Sequence, residues 1–175
     1  MKKWIIILLL VGFKQALADD RLVVELSPLH FMNSIIELGV EQPLDENSSA
    51  FLILGRGETT TTDGFVEVTT VFWFFGGQYR YYINQELDGL HLGIEAQYLI
   101  ANANEDGFKG KADGLLIGPF LGWKEQWDFG FVFNIQVGYQ KLFITKDEID
   151  RNGNNITGEI NRDLILLNLN LGWSF

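Results

Sequence analysis

The sequence predicts an all-β protein, an eight-stranded antiparallel up-and-down transmembrane β-barrel. Three observations lead to this prediction. From Arg21 onward, eight segments alternate apolar and other side chains with the period of two that is typical of β-strands. The connections between these segments are alternately short and long, as in membrane barrels. The aromatic residues gather at both ends of the strands, where the two membrane surfaces would lie.

The N-terminus has the features of a secretory signal peptide. Lys2 and Lys3 precede an apolar stretch, and Ala16 and Ala18 provide the small residues of a cleavage site. The apolar stretch has about ten residues, which is too few for the ~20 of a membrane-spanning helix. We therefore expect residues 1–18 to be removed and residues 19–175 to form a single barrel domain.

The composition excludes several classes of function. The chain has 13 basic and 23 acidic residues and a net charge of −10, so nucleic acid is not an expected partner. It has no cysteine, and therefore neither a disulfide framework nor a thiolate metal site. Because no phosphate-binding loop or zinc spacing is present, we expect no cofactor.

The eight predicted strands differ in how well their register is determined. They cover residues 22–27, 33–41, 49–56, 71–83, 90–98, 114–123, 129–140 and 164–175. Pro28 should end the first strand and be followed by a tight connection at 29–32, because proline has no N–H for a ladder. The third segment is apolar on both faces around Phe51 to Leu54. Alternation therefore does not determine which of these side chains point inward.

The connections predict which end of the barrel faces outward. Short turns are predicted at 42–48, 84–89 and 124–128, and long loops at 57–70, 101–113 and 141–163. With both termini in the periplasm, the long loops lie outside the cell, as is usual. Asn152-Gly153 is a hairpin-turn dipeptide, which suggests that the strands of the last loop continue as a protruding hairpin.

Pro119 conflicts with its place in the sixth predicted strand. A closed barrel has no edge strand in which a missing N–H would be tolerated. We therefore expect a β-bulge at Pro119, which would take the proline out of the regular ladder.

Two aromatic belts follow from the direction of each strand. The expected periplasmic belt comprises Tyr81, Trp123, Trp127, Phe129, Trp173 and Phe175, and the outer belt comprises Trp73, Tyr98, Tyr139 and Phe143. Aromatic residues at both interfaces are typical of outer-membrane barrels.

The inward positions are rich in polar side chains. They comprise Glu25, Glu37, Glu41, Arg80, His91, Glu95, Gln97, Asn134, Gln136, Asn168 and Asn170. Side chains just fill an eight-stranded barrel, and a buried charge needs a partner, so we expect a plugged lumen with a buried polar network. Within it we expect Arg80 to pair with Glu95 or Glu37 through a bidentate contact. A narrow pore through the same residues is the alternative.

The last strand resembles the C-terminal assembly signal of bacterial outer-membrane barrels, through Leu169, Leu171, Trp173 and Phe175. The stretch Gly76 to Tyr82, which reads GGQYRYY, is similar to a G-x-x-Y-R-Y-Y strand in a family of outer-membrane barrels without an assigned activity. Gly118-Pro119-Phe120-Leu121-Gly122 resembles that family's G-P-F/Y-L-G segment. The resemblance implies the outer membrane of a Gram-negative bacterium, with its lipids and the barrel-assembly machinery as partners. It implies no activity.

The leading hypothesis is a monomeric barrel with a structural role or a surface-interaction role, exerted through outer loops that contact an unknown extracellular partner. A soluble lipocalin-like barrel is the rival, and it requires Asn168 and Asn170 to be exposed.

An enzyme, such as an outer-membrane lipid-modifying hydrolase or transferase, would use His30 with Ser34 or His91 with Glu95. The lipid A deacylases that share this architecture place their histidine and serine two residues apart, whereas His30 and Ser34 are four apart. We therefore expect no catalytic residues. A calcium loop starting at Asp150 is a further alternative, but Asn155 and Asn161 stand where an EF-hand needs glycine and glutamate.

Overall fold

The structure is a computed structural model that describes residues 22–32, 34–63, 66–84, 87–105, 108–151, 154–156 and 161–175. Within these residues the chain forms nine strands and one helix. They are β1 (Val23–Leu26), α1 (Pro28–Phe31), β2 (Ile35–Pro43), β3 (Ser48–Asp63), β4 (Val66–Tyr82), β5 (Gly89–Glu105), β6 (Phe108–Gln126), β7 (Phe131–Arg151), β8 (Asn154–Ile156) and β9 (Asn161–Ser174). The predicted signal peptide lies outside the described residues.

Eight of the strands close into an antiparallel up-and-down barrel, which confirms the predicted all-β architecture and its eight wall strands. Each strand from β1 to β7 pairs with the next, and β9 pairs with both β7 and β1. β8 pairs only with the last residues of β7, so it extends a hairpin and adds nothing to the wall. We call the end with the turns 44–47 and 127–130 the turn end. The opposite end, where β3–β4, β5–β6 and β7–β8 turn back, is the hairpin end.

The strands at the hairpin end are longer than predicted. The expected loops at 57–70 and 101–113 are wrong, because β3 continues to Asp63 and β5 continues to Glu105. Threonines at 59–62 fit a pleated strand well, and the hydroxyls of Thr60 and Thr69 lie 3.3 Å apart across the β3–β4 pair. The expected protruding hairpin is present in β7 and β8, and Asn152-Gly153 lies outside the described residues.

Pro119 is accommodated without the predicted bulge. The β6–β7 ladder stops after Ile117↔Lys141 and resumes at Phe120↔Gly138 in the same register, so no residue is inserted. The register shift of this pair lies at Asp113/Gly114 instead. At Gly118 the two backbones approach so closely that an added Cβ would overlap with the carbonyl oxygen of Tyr139. A close approach of the two backbones at Gly118, instead of a bulge, therefore accompanies the proline.

The first hairpin is much shorter than the others. β1 has four residues, and the tight connection predicted after Pro28 is the one-turn helix α1, with the proline in its first turn, as proline prefers. No helix in the described part of the chain is long and apolar enough to cross a membrane.

The structure determines the register that alternation left open in β3. Phe51 and Ile53 point inward and are buried, whereas Leu52 and Leu54 point outward and are exposed. The ring of Phe51 occupies the space beside Gly39 on β2, where any side chain at 39 would overlap with it. The missing side chain on the neighbouring strand therefore makes room for the inward ring.

The turn between β2 and β3 is closed by Asp45. Its carboxylate accepts hydrogen bonds from the hydroxyl of Ser48 at 2.6 Å and from the backbone N–H of Asn47 at 2.9 Å. These bonds, with that from Ser48 the largest cause, hold the pKa of Asp45 below its usual range. A lowered pKa in the folded state means that the stabilisation is present at neutral pH and is lost as the pH falls through that pKa.

We expect Ser48→Ala to raise the pKa of Asp45 toward its ordinary value, because the strongest donor to the carboxylate is removed. The pKa is measured from the carboxyl ¹³C shift of Asp45 during a pH titration of the folded protein. Ser49→Ala is the matched control, since the hydroxyl of Ser49 donates to Glu41 inside the barrel. An unchanged Asp45 titration in Ser48→Ala would contradict this assignment.

Candidate functional site

The interior of the barrel toward the turn end is polar and charged. Its buried polar residues include Glu25, Glu37, Glu41, Gln78, Arg80, His91, Glu95, Lys124, Asn134, Gln136, Gln140, Asn168 and Asn170. Every residue predicted to face the lumen points inward, and of these Gln97 alone is only partly buried. Asn168 and Asn170 are each 1% exposed, which is the opposite of what the soluble lipocalin-like alternative requires. The lumen is therefore the candidate site.

Arg80 lies at the centre of this interior and is fully buried. Its Nη1 lies 3.3 Å from Oε1 of Glu25 and 3.1 Å from Oε2 of Glu41. The predicted pairing with Glu95 or Glu37 is therefore wrong. Alternation assigned all of these side chains to the lumen, but the partners across the lumen depend on the stagger of the closed barrel.

Glu41 connects Arg80 to a second buried cation. Nζ of Lys124 donates to Oε2 of Glu41 at 2.8 Å. The hydroxyls of Tyr82 and Ser49 donate to its other oxygen at 2.6 Å and 2.5 Å. Because two cations and two hydroxyls surround this carboxylate, its negative charge is compensated although it is buried.

An aromatic ring supports Arg80 from the side facing the hairpin end. The guanidinium carbon lies 3.8 Å from the centroid of Phe51, which is within the range of a cation–π contact. Phe51 is itself held beside Gly39, so the ring is fixed between the wall and the guanidinium. Phe51, Ile53 and Phe74 form the buried apolar cluster of the barrel.

Glu95 is surrounded by amides. Gln78, Gln97 and Gln140 each donate a hydrogen bond to its carboxylate through Nε2, at 3.0 Å from Gln97. Gln78 also exchanges hydrogen bonds with Gln136, and its Oε1 accepts from Nε of Arg80 at 2.7 Å. The amides around Glu95 and the ion pairs around Arg80 therefore form one continuous network across the lumen.

His30 lies on α1 and contacts the network from the wall. Its Nδ1 is 3.0 Å from Oε2 of Glu37, and Glu37 also accepts a bond from Nδ2 of Asn168 at 3.3 Å. Ser34 has a positive φ of 58°, and its backbone N–H donates to the carbonyl of Phe31. Among the described contacts, none joins the hydroxyl of Ser34 to His30. His30 and Glu37 thus lie side by side as a base and a carboxylate. The contact between His30 and a serine nucleophile, which the enzyme alternative needs, is not among the described contacts.

His91 is not paired with Glu95. Its Nδ1 lies 3.3 Å from the carbonyl oxygen of Gly89, and its ring packs against the rings of Tyr82 and Phe120. This second predicted pair is therefore not assembled. The described residues contain no cluster of metal-ligating side chains, and of the calcium loop considered from Asp150 onward only the side chain of Asn161 belongs to the described part.

Sequence reasoning missed several members of the network. Lys124, Tyr82, Ser49, Gln78 and Gln140 were not among the predicted lumen residues. The predicted turn at 124–128 includes Lys124 and is wrong at its start, because β6 continues to Gln126. The alternation that places Phe120 and Gly122 inward continues to Lys124, and this signal could have identified it.

The outer surface is apolar, with aromatic rings at both ends. Toward the turn end, the rings of Trp127, Phe129, Phe131 and Trp173 contact one another at centroid distances of 5.3 to 6.4 Å. Toward the hairpin end, Arg56 lies 5.8 Å from the ring of Trp73. The other residues predicted for the two belts also lie on the outer face, namely Tyr81, Tyr98, Trp123, Tyr139 and Phe175, and Phe143 is partly exposed.

Comparisons with protein-family models and with curated protein sequences found no match. The similarity of Gly76 to Tyr82 and of Gly118 to Gly122 to a family of outer-membrane barrels therefore stays a prediction.

Proposed function

We propose that this protein is an integral outer-membrane β-barrel of a Gram-negative bacterium, with a plugged polar lumen and a structural or surface-interaction role. The observation that carries the proposal is the reversal of the usual arrangement of a water-soluble protein. Charged residues are buried inside, while large apolar residues such as Leu54, Ile94 and Val137 are exposed around the outside. A continuous exposed apolar belt is unfavourable in water and favourable in lipid.

The lengths of the strands support the same proposal. A tilted strand needs about 9–11 residues to cross a bilayer. β3, β4, β5, β6 and β7 have 16, 17, 17, 19 and 21 residues. The strand residues beyond this length lie toward the hairpin end. These hairpins would therefore project from the cell surface and contact a partner outside the cell.

Arginine substitutions on the outer face test the membrane location. Ile94 and Ile83 are similarly exposed, at 50% and 55%, but Ile94 lies in the middle of β5 and Ile83 lies just beyond β4 at the turn end. We expect Ile94→Arg to lower the free energy of unfolding in lipid vesicles by about 2–3 kcal/mol, and Ile83→Arg by less than about 1 kcal/mol. The measurement is urea unfolding of the vesicle-inserted protein, followed by tryptophan fluorescence.

The difference in stability between the two variants distinguishes a barrel in lipid from a barrel in water. On a water-soluble barrel, both arginines would be solvated and the two variants would be equally stable. Equal stabilities, or a wild-type protein that is monodisperse in buffer without detergent, would contradict the proposal. A heat-modifiable mobility of the wild type in detergent gels is expected alongside.

A further inference from the structure

The wall of the barrel is incomplete between β2 and β9. The ladder of β1 with β9 ends at Leu26↔Leu171, and that of β1 with β2 ends at Leu26↔Leu38. Toward the hairpin end, residues 161–170 of β9 pair in the described structure only with β7, and residues 35–37 of β2 pair as a strand only with β3. This gap arises because β1 has only four residues.

The helix α1 lies in the gap and contacts both β2 and β9. Ser27, which precedes the helix, donates its hydroxyl to Oδ1 of Asn168 at 2.6 Å, and the carbonyl oxygen of Leu169 lies 3.3 Å from the same hydroxyl. None of the four residues of α1 is buried. Met32, directly after the helix, and Ile165, on β9, are each 82% exposed. Apolar side chains are thus exposed at the outer face of the gap.

Behind the gap, the lumen changes from polar to apolar. The inward residues of β4 read Arg80, Gln78, Gly76, Phe74 and Phe72 toward the hairpin end, and those of β9 read Asn170, Asn168, Leu166 and Leu164. Ile35, Phe72 and Leu99 are only partly buried where they pack against the apolar cluster of Phe51, Ile53 and Phe74. Among the described residues, the inward side chains toward the hairpin end are therefore mainly apolar.

Apolar residues on both sides of the gap point into this part of the lumen. Ile35 lies on the β2 side, and Leu166 and Leu164 lie on the β9 side. Leu164 is 39% exposed although its position in the alternation is inward. Apolar residues therefore lie beside the gap on both the outer and the inner face of the wall. The amides around Glu95 border this region on the side of the turn end.

We propose that the lumen toward the hairpin end binds one alkyl chain of an outer-leaflet lipid, which passes through the gap between β2 and β9. This inference rests on the proposed membrane location, which places lipid chains against the exposed borders of the gap. An eight-stranded barrel is wide enough for side chains or for one small ligand, so a single chain is the appropriate occupant. The chain would cover apolar surface inside the barrel, and the polar network would limit how far it reaches.

The test is photo-crosslinking from the lipid. The protein is reconstituted in nanodiscs of phosphatidylcholine that carries a diazirine at the end of one acyl chain, and labelled residues are mapped by mass spectrometry after irradiation. We expect labels on the inward residues Leu164 and Leu166 as well as on the outward residue Leu167. Neighbours on one strand thus report the inside and the outside separately, because side chains alternate.

Two tryptophan variants form a matched pair for the passage. Ile35 points inward beside the gap, whereas Ile36 points outward. We expect Ile35→Trp to reduce labelling of Leu166 by about fivefold without changing Leu167, because an indole added at the passage takes the place of the chain. Ile36→Trp should leave both labels unchanged.

Each outcome is informative, and the wild-type pattern does not depend on how the variants fold. Labels on outward residues alone would overturn the alkyl-chain site and leave the membrane location standing. Inward labels that persist unchanged in folded Ile35→Trp would overturn the passage through the gap. A protein without any label would overturn both this inference and the proposed function.

Discussion

Arg80→Met is expected to lower the free energy of unfolding by about 3–5 kcal/mol, because it removes one partner from a buried ionic network. Glu25 and Glu41 would remain in the lumen, and in the described part of the chain Lys124 is the one other cation in direct contact with either carboxylate. Methionine keeps an unbranched apolar side chain but carries no charge and donates no hydrogen bond, so the loss includes the charge and the hydrogen bonds of the guanidinium. The measurement is urea unfolding in lipid vesicles.

Arg56→Met is the matched control for this prediction. Arg56 lies on the outer face, is half exposed and is 3.9 Å from Glu58, an arrangement that contributes less than about 1 kcal/mol. The double variant Glu25→Gln with Arg80→Met should lose less stability than Arg80→Met alone, because one uncompensated charge is removed as well. If Arg80→Met and Arg56→Met have the same effect, the buried network does not stabilise the fold.

Phe51→Ala is expected to lower the free energy of unfolding by about 3–5 kcal/mol, the usual cost of removing a buried aromatic ring. The ring is 1% exposed, lies in the apolar cluster and contacts the guanidinium of Arg80. Leu52→Ala is the control, because this neighbour points outward and its removal leaves no internal cavity. Unfolding in urea, followed by tryptophan fluorescence, measures both variants.

A compensating substitution tests why Phe51 points inward. A side chain at Gly39 would occupy the site of the ring, so Gly39→Val should destabilise the wild-type barrel. In the Phe51→Ala background, the same substitution should restore part of the lost stability, because the valine fills the cavity. Additive losses in the double variant would show that the ring and residue 39 do not share this space.

For the lumen, the sequence predicts which side chains point inward but not which of them contact one another. Alternation placed Glu25, Arg80 and Asn168 inside, because residues two apart on a strand share a face. It did not predict that Arg80 contacts Glu25 and Glu41, since these contacts join strands that are far apart in sequence and are brought together by the stagger of the barrel. Lys124 was missed for a simpler reason, because the end of β6 was predicted too early.

The number of wall strands, the polar interior and the apolar exterior are predictable from the sequence alone. These follow from local periodicity, which each strand carries within its own residues. Three features depend instead on tertiary contacts, namely the inward side of β3, the partners of Arg80 and the gap beside α1. The direction of Phe51 depends on the missing side chain at Gly39, and the gap depends on where β1 stops pairing with two strands from elsewhere in the chain. Such features arise from contacts between distant residues, and no single segment of the sequence contains them.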